Sequence, residues 1–412
     1  MPTPPDPVAL RAALARDLPA ALVWLREWVA INSFTYHRDG VNTVGHATAA
    51  AFTPLGFAPE YVPSTDRRCG NHLFLRKPGR TNATLLCVSH LDTVFSAEEE
   101  ARQNFRWREE PGRIYGPGVV DIKGGTMLLW LQLRALRTAA PEWFEHFSWV
   151  VALNAAEEVL GDDFAQSALA RFGDRTKAAL VYESGAYQPD NFNLVVARKG
   201  RSQFRVAVTG RGAHAGSRHA DGANAIAELA RVLPALEALT DTARERTANV
   251  GLVRGGDSLN RVPHAAEAQG ELRAYDSTAL ADAEAAILAL QGPGTIRAVT
   301  DGYRCRILAE ITGRTPGWPE NAATGKLFAS YARAAARVGA QVTAERRGGL
   351  SDGNLLAAQL PTLDGLGPAG GNAHASEWSD AADNIKRPEY LETASLLPKA
   401  VLNLLAVAEL AE

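Results

Sequence analysis

The chain has 412 residues, of which 46% are hydrophobic and 22% are charged, and its formal net charge is −3. This length predicts two domains, and the composition excludes a disordered or collagen-like chain. The small net charge excludes a sequence-wide positive field for nucleic acid or anionic lipid, so we expect a small-molecule partner and neither nucleic acid nor membrane.

The cysteines and the N-terminus bear on location. Cys69, Cys87 and Cys305 are odd in number and lack paired spacing, as in a protein from a reducing compartment. The N-terminus lacks the basic region and apolar run of an export signal, and no stretch reaches the roughly 18 apolar residues of a membrane span. The sequence therefore predicts a cytoplasmic protein without an anchor.

The first predicted element is an amphipathic helix over residues 8–30, where apolar residues recur at helical spacing. Further along, short apolar runs alternate with helical patterns. The runs lie at 84–92, 148–158 and 178–185, and the helical patterns at 124–136 and 162–171. This alternation predicts an α/β fold with a mostly parallel sheet flanked by helices.

The pattern changes in the middle of the chain. Strand-like segments at 201–210, 266–275 and 303–312 surround a helical segment at 221–239, and helical sequence resumes at 321–338. We predict a smaller α+β domain over residues 191–313, inserted into a first domain that is formed by residues 1–190 and 314–412.

Polar residues follow four apolar runs of the first domain. They are His90 and Asp92, then Glu157 and Glu158, then Glu183, and finally His374 in the loop after 361–368. Ligands of open α/β sheets bind beyond the carboxyl ends of the strands. We therefore expect these side chains to gather at one edge of the sheet.

His90 and Asp92 are alternate residues of a strand end, so their side chains project to the same side. His90 can then bind a metal while Asp92 accepts its other ring N–H. Taken alone, the pair is more typical of a strand-end histidine that binds no metal, and only the other site residues favour a ligand. Asp121 lies in YGPGVVDIKGG, a Gly-rich loop before a helix, where it can reach a metal or cap that helix.

Glu157 and Glu158 are adjacent acids, and burial together with their mutual repulsion opposes the ionisation of both. A nearby cation removes this conflict, because one acid binds it while the other takes a proton from water. A solvated helix face is the alternative for such a pair. Two histidines and three acids at one edge suit two divalent ions that share a carboxylate, with zinc favoured and manganese or cobalt possible.

These motifs together resemble a known family, the di-zinc metallopeptidases that include glutamate carboxypeptidase, acetylornithine deacetylase and aminoacylase. The likeness is greatest to bacterial glutamate carboxypeptidases. It rests, in family order, on SHLDTVF, YGPGVVDIKGG, NAAEE, YESG, GRGAHAG, GGLSDGN and the AH of GGNAHASE. The resemblance implies two zinc ions per subunit: His90 and Glu183 on one, Glu158 and His374 on the other, Asp121 bridging them, Glu157 as general base and Asp92 orienting His90.

The same resemblance implies that the insert is a lid that forms a homodimer. His214, in GRGAHAG, resembles the histidine that reaches the site of a neighbouring subunit and stabilises the tetrahedral oxyanion. Arg314, in ITGRTPGW, resembles the arginine that clamps the substrate carboxylate, and a planar guanidinium suits that anion. Asn260 and Arg273 are candidates to assist, with a surface charge as the alternative for Arg273.

These interpretations predict a zinc-dependent, carboxypeptidase-like hydrolase. We expect it to cleave an amide or peptide bond beside a free amino-acid carboxylate, using metal-activated water and Glu157 as base. The substrate would be a small peptide or an N-acyl amino acid. The alternatives are an N-acyl-amino-acid deacylase, a catalytically silent binding homologue, and a phosphate-ester hydrolase that uses Lys123 and Arg314.

Overall fold

The computed structural model describes residues 2–411. Their helices are α1 Pro7–Val29, α2 Arg38–Phe52, α3 Ala97–Gln103, α4 Lys123–Ala139, α5 Pro141–His146, α6 Asp163–Phe172, α7 Ala225–Glu237, α8 Ser277–Leu288, α9 Ala322–Ala336, α10 Asp352–Leu356 and α11 Leu396–Glu409. Their strands are β1 Ala58–Pro63, β2 Asn71–Lys77, β3 Thr84–His90, β4 Arg108–Glu110, β5 Arg113–Tyr115, β6 Ser148–Asn154, β7 Thr176–Val181, β8 Tyr187–Gln188, β9 Asn191–Arg198, β10 Gly200–Thr209, β11 Thr247–Gly255, β12 Ala265–Ala274, β13 Gly292–Arg297, β14 Arg304–Thr315, β15 Gln341–Arg347, β16 Thr362–Leu363, β17 Gly370–Gly371, β18 Ser379–Ala381, β19 Asn384–Lys386 and β20 Tyr390–Glu392. None of these helices is long and apolar enough to cross a membrane.

The described chain divides into two compact units. The first contains the residues up to Val196, Glu320–Arg346 and the residues from Ser351, and the second contains Ala197–Pro319 and Arg347–Leu350. The sequence placed the borders near 191 and 313. In the structure β9 begins at Asn191 and β14 continues to Thr315, and the chain changes unit a few residues further along, after Val196 and after Pro319.

The first unit is built on a six-stranded sheet in the order β1-β2-β6-β3-β7-β16. The pairs β6/β3, β3/β7 and β7/β16 are parallel, whereas β1/β2 and β2/β6 are antiparallel. This arrangement confirms the predicted α/β fold with a mostly parallel sheet flanked by helices.

Strand β3 is buried along its whole length, as expected for a parallel strand covered by helices on both faces. Its residues alternate between two apolar cores. Leu85 and Cys87 belong to the larger core, which includes residues of α1, α4 and α11. Leu86 and Val88 belong to a smaller core that includes Phe164 of α6. The central strand is thereby fixed from both sides, and its end is held at a defined position.

A four-stranded sheet in the order β17-β20-β5-β4 lies in the same unit. Gly371 pairs with Tyr390, and Tyr390 pairs with Tyr115. The chain leaves Tyr115 toward Asp121 and leaves Gly371 toward His374. This small sheet therefore brings together two loops that are far apart in the sequence.

The second unit has an antiparallel five-stranded sheet in the order β11-β12-β10-β14-β13. Buried residues alternate along β10, so that Phe204, Val206 and Val208 face a core shared with α7 and α8. This period of two is typical of a strand with one covered face. The opposite face of β10 carries the more exposed side chains.

Candidate metal centre

His90, Asp121 and Glu183 meet at the carboxyl end of the central sheet. His90 is the last residue of β3, and Glu183 follows the neighbouring parallel strand β7 by two residues. Nε2 of His90 lies 3.0 Å from Oδ1 of Asp121 and 3.7 Å from Oε1 of Glu183. These side chains form the first candidate ligand group.

Asp121, Glu158 and His374 form a second group beside the first. Nε2 of His374 lies 3.2 Å from Oδ2 of Asp121 and 3.2 Å from Oε2 of Glu158. Glu158 lies in the short turn after β6, which is the other parallel neighbour of β3. The two oxygens of Asp121 therefore face two different histidines.

The donor atoms of each group fit a divalent ion. Within each group they lie within 4.8 Å of one another, and they comprise imidazole nitrogen and carboxylate oxygen. Tetrahedral zinc with bonds of about 2.0–2.1 Å separates its ligand atoms by roughly 3.3 Å. The four histidine–carboxylate separations, 3.0–3.7 Å, bracket that value. The same donors also suit manganese or cobalt.

The charges of the groups favour a cation between them. Burial opposes the ionisation of Asp121, but its hydrogen bonds with His374 and His90 outweigh this effect and hold its pKa below the ordinary range. The carboxylates of Asp121 and Glu158 raise the pKa of His374 to about 10. Because histidine must be neutral to bind a metal, an ion would take the place of that proton.

Glu157 belongs to neither ligand group. Its side chain is buried, with the residue 7% exposed, and burial raises its pKa well above the ordinary value. The positive charge of His90 opposes that rise. A buried carboxyl whose pKa is shifted upward is suited to exchange a proton near neutral pH.

Asp92 faces the other ring nitrogen of His90 with two of its oxygens. Nδ1 of His90 lies 3.0 Å from the backbone carbonyl oxygen of Asp92 and 3.4 Å from its carboxylate Oδ1. The carboxylate also accepts the N–H groups of Glu157 and Glu158, at 3.1 and 3.3 Å, and the Thr35 hydroxyl, at 2.7 Å. The carbonyl is the nearer of the two acceptors, and the carboxylate also lies within ion-pair distance of the ring, where the sequence placed it.

The alternative role of Asp121 as a helix cap is wrong. Helix α4 begins at Lys123, and its N-cap is Ile122, which makes no capping hydrogen bond through its side chain. Lys123 is itself buried, and its Nζ donates to the carbonyl oxygen of Ile31 at 3.1 Å. This lysine therefore supports a loop, which removes one of the two basic residues on which the phosphate-ester alternative depends.

The structure adds two buried acids that the sequence interpretation did not assign. Nδ2 of Asn154 donates to Oδ1 of Asp352 at 2.8 Å, and burial raises the pKa of Asp352 to about 7. Asp352 lies in GGLSDGN, a motif that was recognised without a role for this residue. Burial also raises the pKa of Glu389 to about 8, and no local motif distinguishes that residue.

Two of the predicted residues in the second unit lie close together. The N–H of Ala215, next to His214, donates to the carbonyl oxygen of Asn260 at 2.9 Å. Nδ1 of His214 accepts the N–H groups of Gly216 and Ser217 at 3.2 and 3.1 Å. The neutral ring must therefore carry its proton on Nε2, and the His214 side chain is exposed.

The other two predicted residues of this unit already bind acids. The guanidinium of Arg314 contacts both carboxylate oxygens of Glu284, at 2.8–3.0 Å. Nε of Arg273 donates to Glu271 at 2.7 Å, and one of its terminal nitrogens donates to the carbonyl oxygen of Gly348 at 3.0 Å. Arg314 thus presents the bidentate geometry that a carboxylate requires, although here a glutamate of the same unit occupies it.

Comparison with known proteins places this chain in a family. Residues 86–394 match the family model described as peptidase family M20/M25/M40, so the chain belongs to that family of metal-dependent hydrolases. This membership confirms the family resemblance seen in the sequence.

The individual relatives agree with this assignment. Carboxypeptidase G2 of Pseudomonas sp. (strain RS-16) is 24% identical over 399 residues, which cover 95% of this chain and 91% of that protein. Acetylornithine deacetylase of Proteus mirabilis is 28% identical over 240 residues, covering 55% and 59% of the two chains. The YXEP protein of Bacillus subtilis, a dinuclear metal binding peptidase, has a similar fold, with a TM-score of 0.65, 15% identity and coverage of 97% and 99%.

Proposed function

We propose that the protein is a zinc-dependent, carboxypeptidase-like hydrolase that cleaves an amide or peptide bond next to a free amino-acid carboxylate. One observation carries this proposal: Asp121 directs one carboxylate oxygen to His90 and the other to His374. A carboxylate shared in this way is suited to a pair of ions. The similarity to carboxypeptidase G2, over 95% of this chain, supports the reaction class.

His90 and Glu183 would hold one ion, Glu158 and His374 would hold the other, and Asp121 would contact both. A divalent pair supplies Lewis acidity, which polarises the scissile carbonyl and lowers the pKa of water. The dinuclear metal binding peptidase of similar fold supports two ions, and the mixed nitrogen and oxygen donors support zinc, with cobalt or manganese as substitutes.

Glu157 is the proposed general base and later the acid. Its N–H is held by Asp92, its side chain is buried, and it lies next to Glu158 without joining either ligand group. It would take a proton from the attacking water and return that proton to the departing nitrogen. Burial serves both steps, because a carboxyl with a raised pKa can hold the proton between them.

His214 is the proposed donor to the developing oxyanion. Two backbone N–H groups point at its Nδ1, which leaves the exposed Nε2 as the N–H donor of the neutral ring. A donor whose orientation is fixed before reaction stabilises the oxyanion without reorganising. Asn260 is joined to this segment through Ala215 and is the proposed assistant.

For the substrate carboxylate we propose Arg314 as the bidentate partner and Arg273 as its assistant. The guanidinium of Arg314 already binds a carboxylate in the required geometry, that of Glu284. The substrate would take the place of that glutamate. Each arginine already binds a glutamate, so a substrate must displace that carboxylate in order to bind. A substrate with a free carboxylate can replace it, whereas a neutral amidated substrate cannot.

We further propose a cytoplasmic homodimer formed through the second unit. Strand β11 is the last strand of its sheet, so among the described residues one of its edges has no neighbouring strand. That strand also exposes Leu252 and Val253. An apolar edge of this kind is suited to pair with a second copy of the chain. The three cysteines are buried and unpaired, which supports a reducing compartment.

The test is a panel of dipeptides and N-acyl amino acids, each with a free and an amidated C-terminus, assayed with zinc, cobalt and manganese. The proposal expects turnover that is lost on exhaustive chelation, restored by metal and strongly reduced by amidation. Undiminished turnover after chelation would overturn it.

An N-acyl-amino-acid deacylase is the second candidate, which the match to acetylornithine deacetylase favours. The same panel separates the two candidates. A deacylase would prefer small acyl groups such as acetyl, whereas a carboxypeptidase would prefer a peptide bond to the C-terminal residue.

A further inference from the structure

Glu389 is a fully buried acid, with an exposure of 0%, that contacts the loop carrying Asp121. Its Oε1 accepts the backbone N–H groups of Val120 and Asp121, at 2.8 and 3.1 Å. These are two successive peptide groups, so a single carboxylate oxygen fixes the orientation of the backbone from which the Asp121 side chain projects.

Glu389 also contacts the loop that carries His374. Its backbone N–H donates to the carbonyl oxygen of Ala375 at 2.8 Å. Glu389 directly precedes β20, the strand that pairs with β17 on one side and with β5 on the other. The segment that leads to Asp121 follows β5, and the segment that leads to His374 follows β17. Glu389 therefore bridges the two loops at the point where they diverge.

The other carboxylate oxygen of Glu389 makes no hydrogen bond. This atom, Oε2, is buried and has no hydrogen-bond partner among the described residues. A buried carboxyl with half of its acceptor capacity unused is costly compared with an apolar residue of similar size. Apolar packing therefore does not explain an acid here, whereas the two backbone N–H groups that Oε1 holds in the Asp121 loop do.

We propose that Glu389 is a positioning residue that holds the Asp121 carboxylate between His90 and His374. This inference rests on the proposed function, since it concerns the binding of the pair of ions. Asp121 serves both ligand groups, so a displacement of its loop would weaken both sites at once. The partners of Asp121, at 3.0 and 3.2 Å, leave little freedom for such a shift.

The experiment compares Glu389→Gln with Glu389→Asp in the full chain, by titrating the chelator-treated protein with Zn²⁺ and measuring the number of ions bound and their affinities. The Gln variant keeps an oxygen at the same reach and should bind two ions within about threefold of the parent affinity. The Asp variant is one methylene too short to reach both N–H groups. It should lose about 10- to 100-fold in the affinity of at least one ion, the usual effect of removing a partner of a ligand.

Glu392→Asp, three residues along on β20, is the matched control and should bind like the parent. Thermal unfolding of the metal-free proteins separates positioning from a general loss of stability. If Glu389 positions the ligands, the Asp variant should lose metal affinity by more than any decrease in its metal-free stability would explain. Parent-like binding by the Asp variant overturns the inference, as does a tenfold loss in the Gln variant, which would assign the effect to charge. A parent that binds fewer than two ions would instead refute the proposed function, independently of Glu389.

Discussion

The backbone N–H of Glu157 donates a hydrogen bond of 3.1 Å to Oδ1 of Asp92. The other carboxylate oxygen of Asp92 accepts the N–H of Glu158 at 3.3 Å, and the carbonyl of Asp92 faces His90 at 3.0 Å. One residue thus orients the proposed base and two proposed ligands. The turn after β6 and the end of β3 are joined through it.

We expect Asp92→Asn to lower kcat/KM by about 10- to 100-fold, because the amide has one acceptor oxygen and sets its NH₂ group against backbone donors. Metal content and kinetics with an N-acyl amino acid check this. Thr35→Val, which removes only a hydroxyl donor to the same carboxylate, should cost less. Equal losses in the two variants would contradict the role given to Asp92.

Glu157→Gln should reduce kcat by about 10²- to 10⁴-fold, because an amide cannot take the proton of the attacking water. Both ions should be retained, since Glu157 lies outside the two ligand groups. Glu158→Gln is the contrasting variant and should lose metal as well as turnover. A parent protein that binds acyl amino acids, turns none over and is unaffected by Glu157→Gln would be the silent binding homologue.

The strand-end residues of the candidate site could be predicted from sequence because the rule is local. Buried apolar runs of parallel strands identified β3, β6 and β7, and residues that directly follow such strands meet at one edge. His90, Glu158 and Glu183 needed no knowledge of distant contacts. The mostly parallel pairing followed from the alternation of these runs with helical segments.

The supporting contacts could not be predicted, because they join segments that the sequence does not relate. Glu389 binds an N–H group 268 positions away, and Asn154 binds Asp352 at a separation of 198. Glu389 is an ordinary residue in its local segment, and the motif around Asp352 does not indicate its partner Asn154. Glu284, which binds the guanidinium of Arg314, lies on α8, and only the folded sheet brings that helix alongside β14.

Arg314→Ala should lower kcat/KM about 10- to 100-fold for substrates with a free C-terminal carboxylate, because charged hydrogen bonds contribute roughly 1.5–3 kcal/mol. Amidated substrates should be affected little. Arg306→Ala, an exposed arginine on the same strand, is the control and should leave both rates unchanged. Similar losses on free and amidated substrates would indicate that Arg314 acts only through Glu284.

Leu252→Lys should convert the proposed dimer to a monomer, because a lysine on a strand edge opposes pairing with another edge. Leu252 and Val253 are 52% and 55% exposed on β11, so the substitution should not disturb the core. Sedimentation velocity over a range of protein concentrations measures the change. Val299→Lys, at another exposed position of the same unit, should sediment like the parent. A monomeric parent would refute the dimer.

Asp163 provides a test of stability away from the metal site. Burial opposes its ionisation, but hydrogen bonds from Nε2 of His72 at 3.2 Å and from the N–H of Thr65 at 2.7 Å outweigh burial and hold its pKa below the ordinary value. Nδ1 of His72 accepts a hydrogen bond from the N–H of Ala155. In the neutral ring Nε2 therefore carries the proton, and this N–H donates a hydrogen bond to Asp163.

A carboxyl whose pKa is lower in the folded than in the unfolded state stabilises the fold fully above its unfolded pKa of about 3.9, and this stabilisation is lost as the pH falls through the folded pKa. Asp163→Asn should therefore destabilise the protein by about 1–3 kcal/mol at pH 7 and by progressively less below about pH 4. Urea midpoints from pH 7 to pH 3.5 measure the difference between variant and parent. Asp174→Asn, an exposed carboxyl, should differ from the parent by less than about 0.5 kcal/mol. If the loss of stability in Asp163→Asn stays constant with pH, the shape of the Asp163 side chain, rather than its charge, stabilises the contacts with Thr65 and His72.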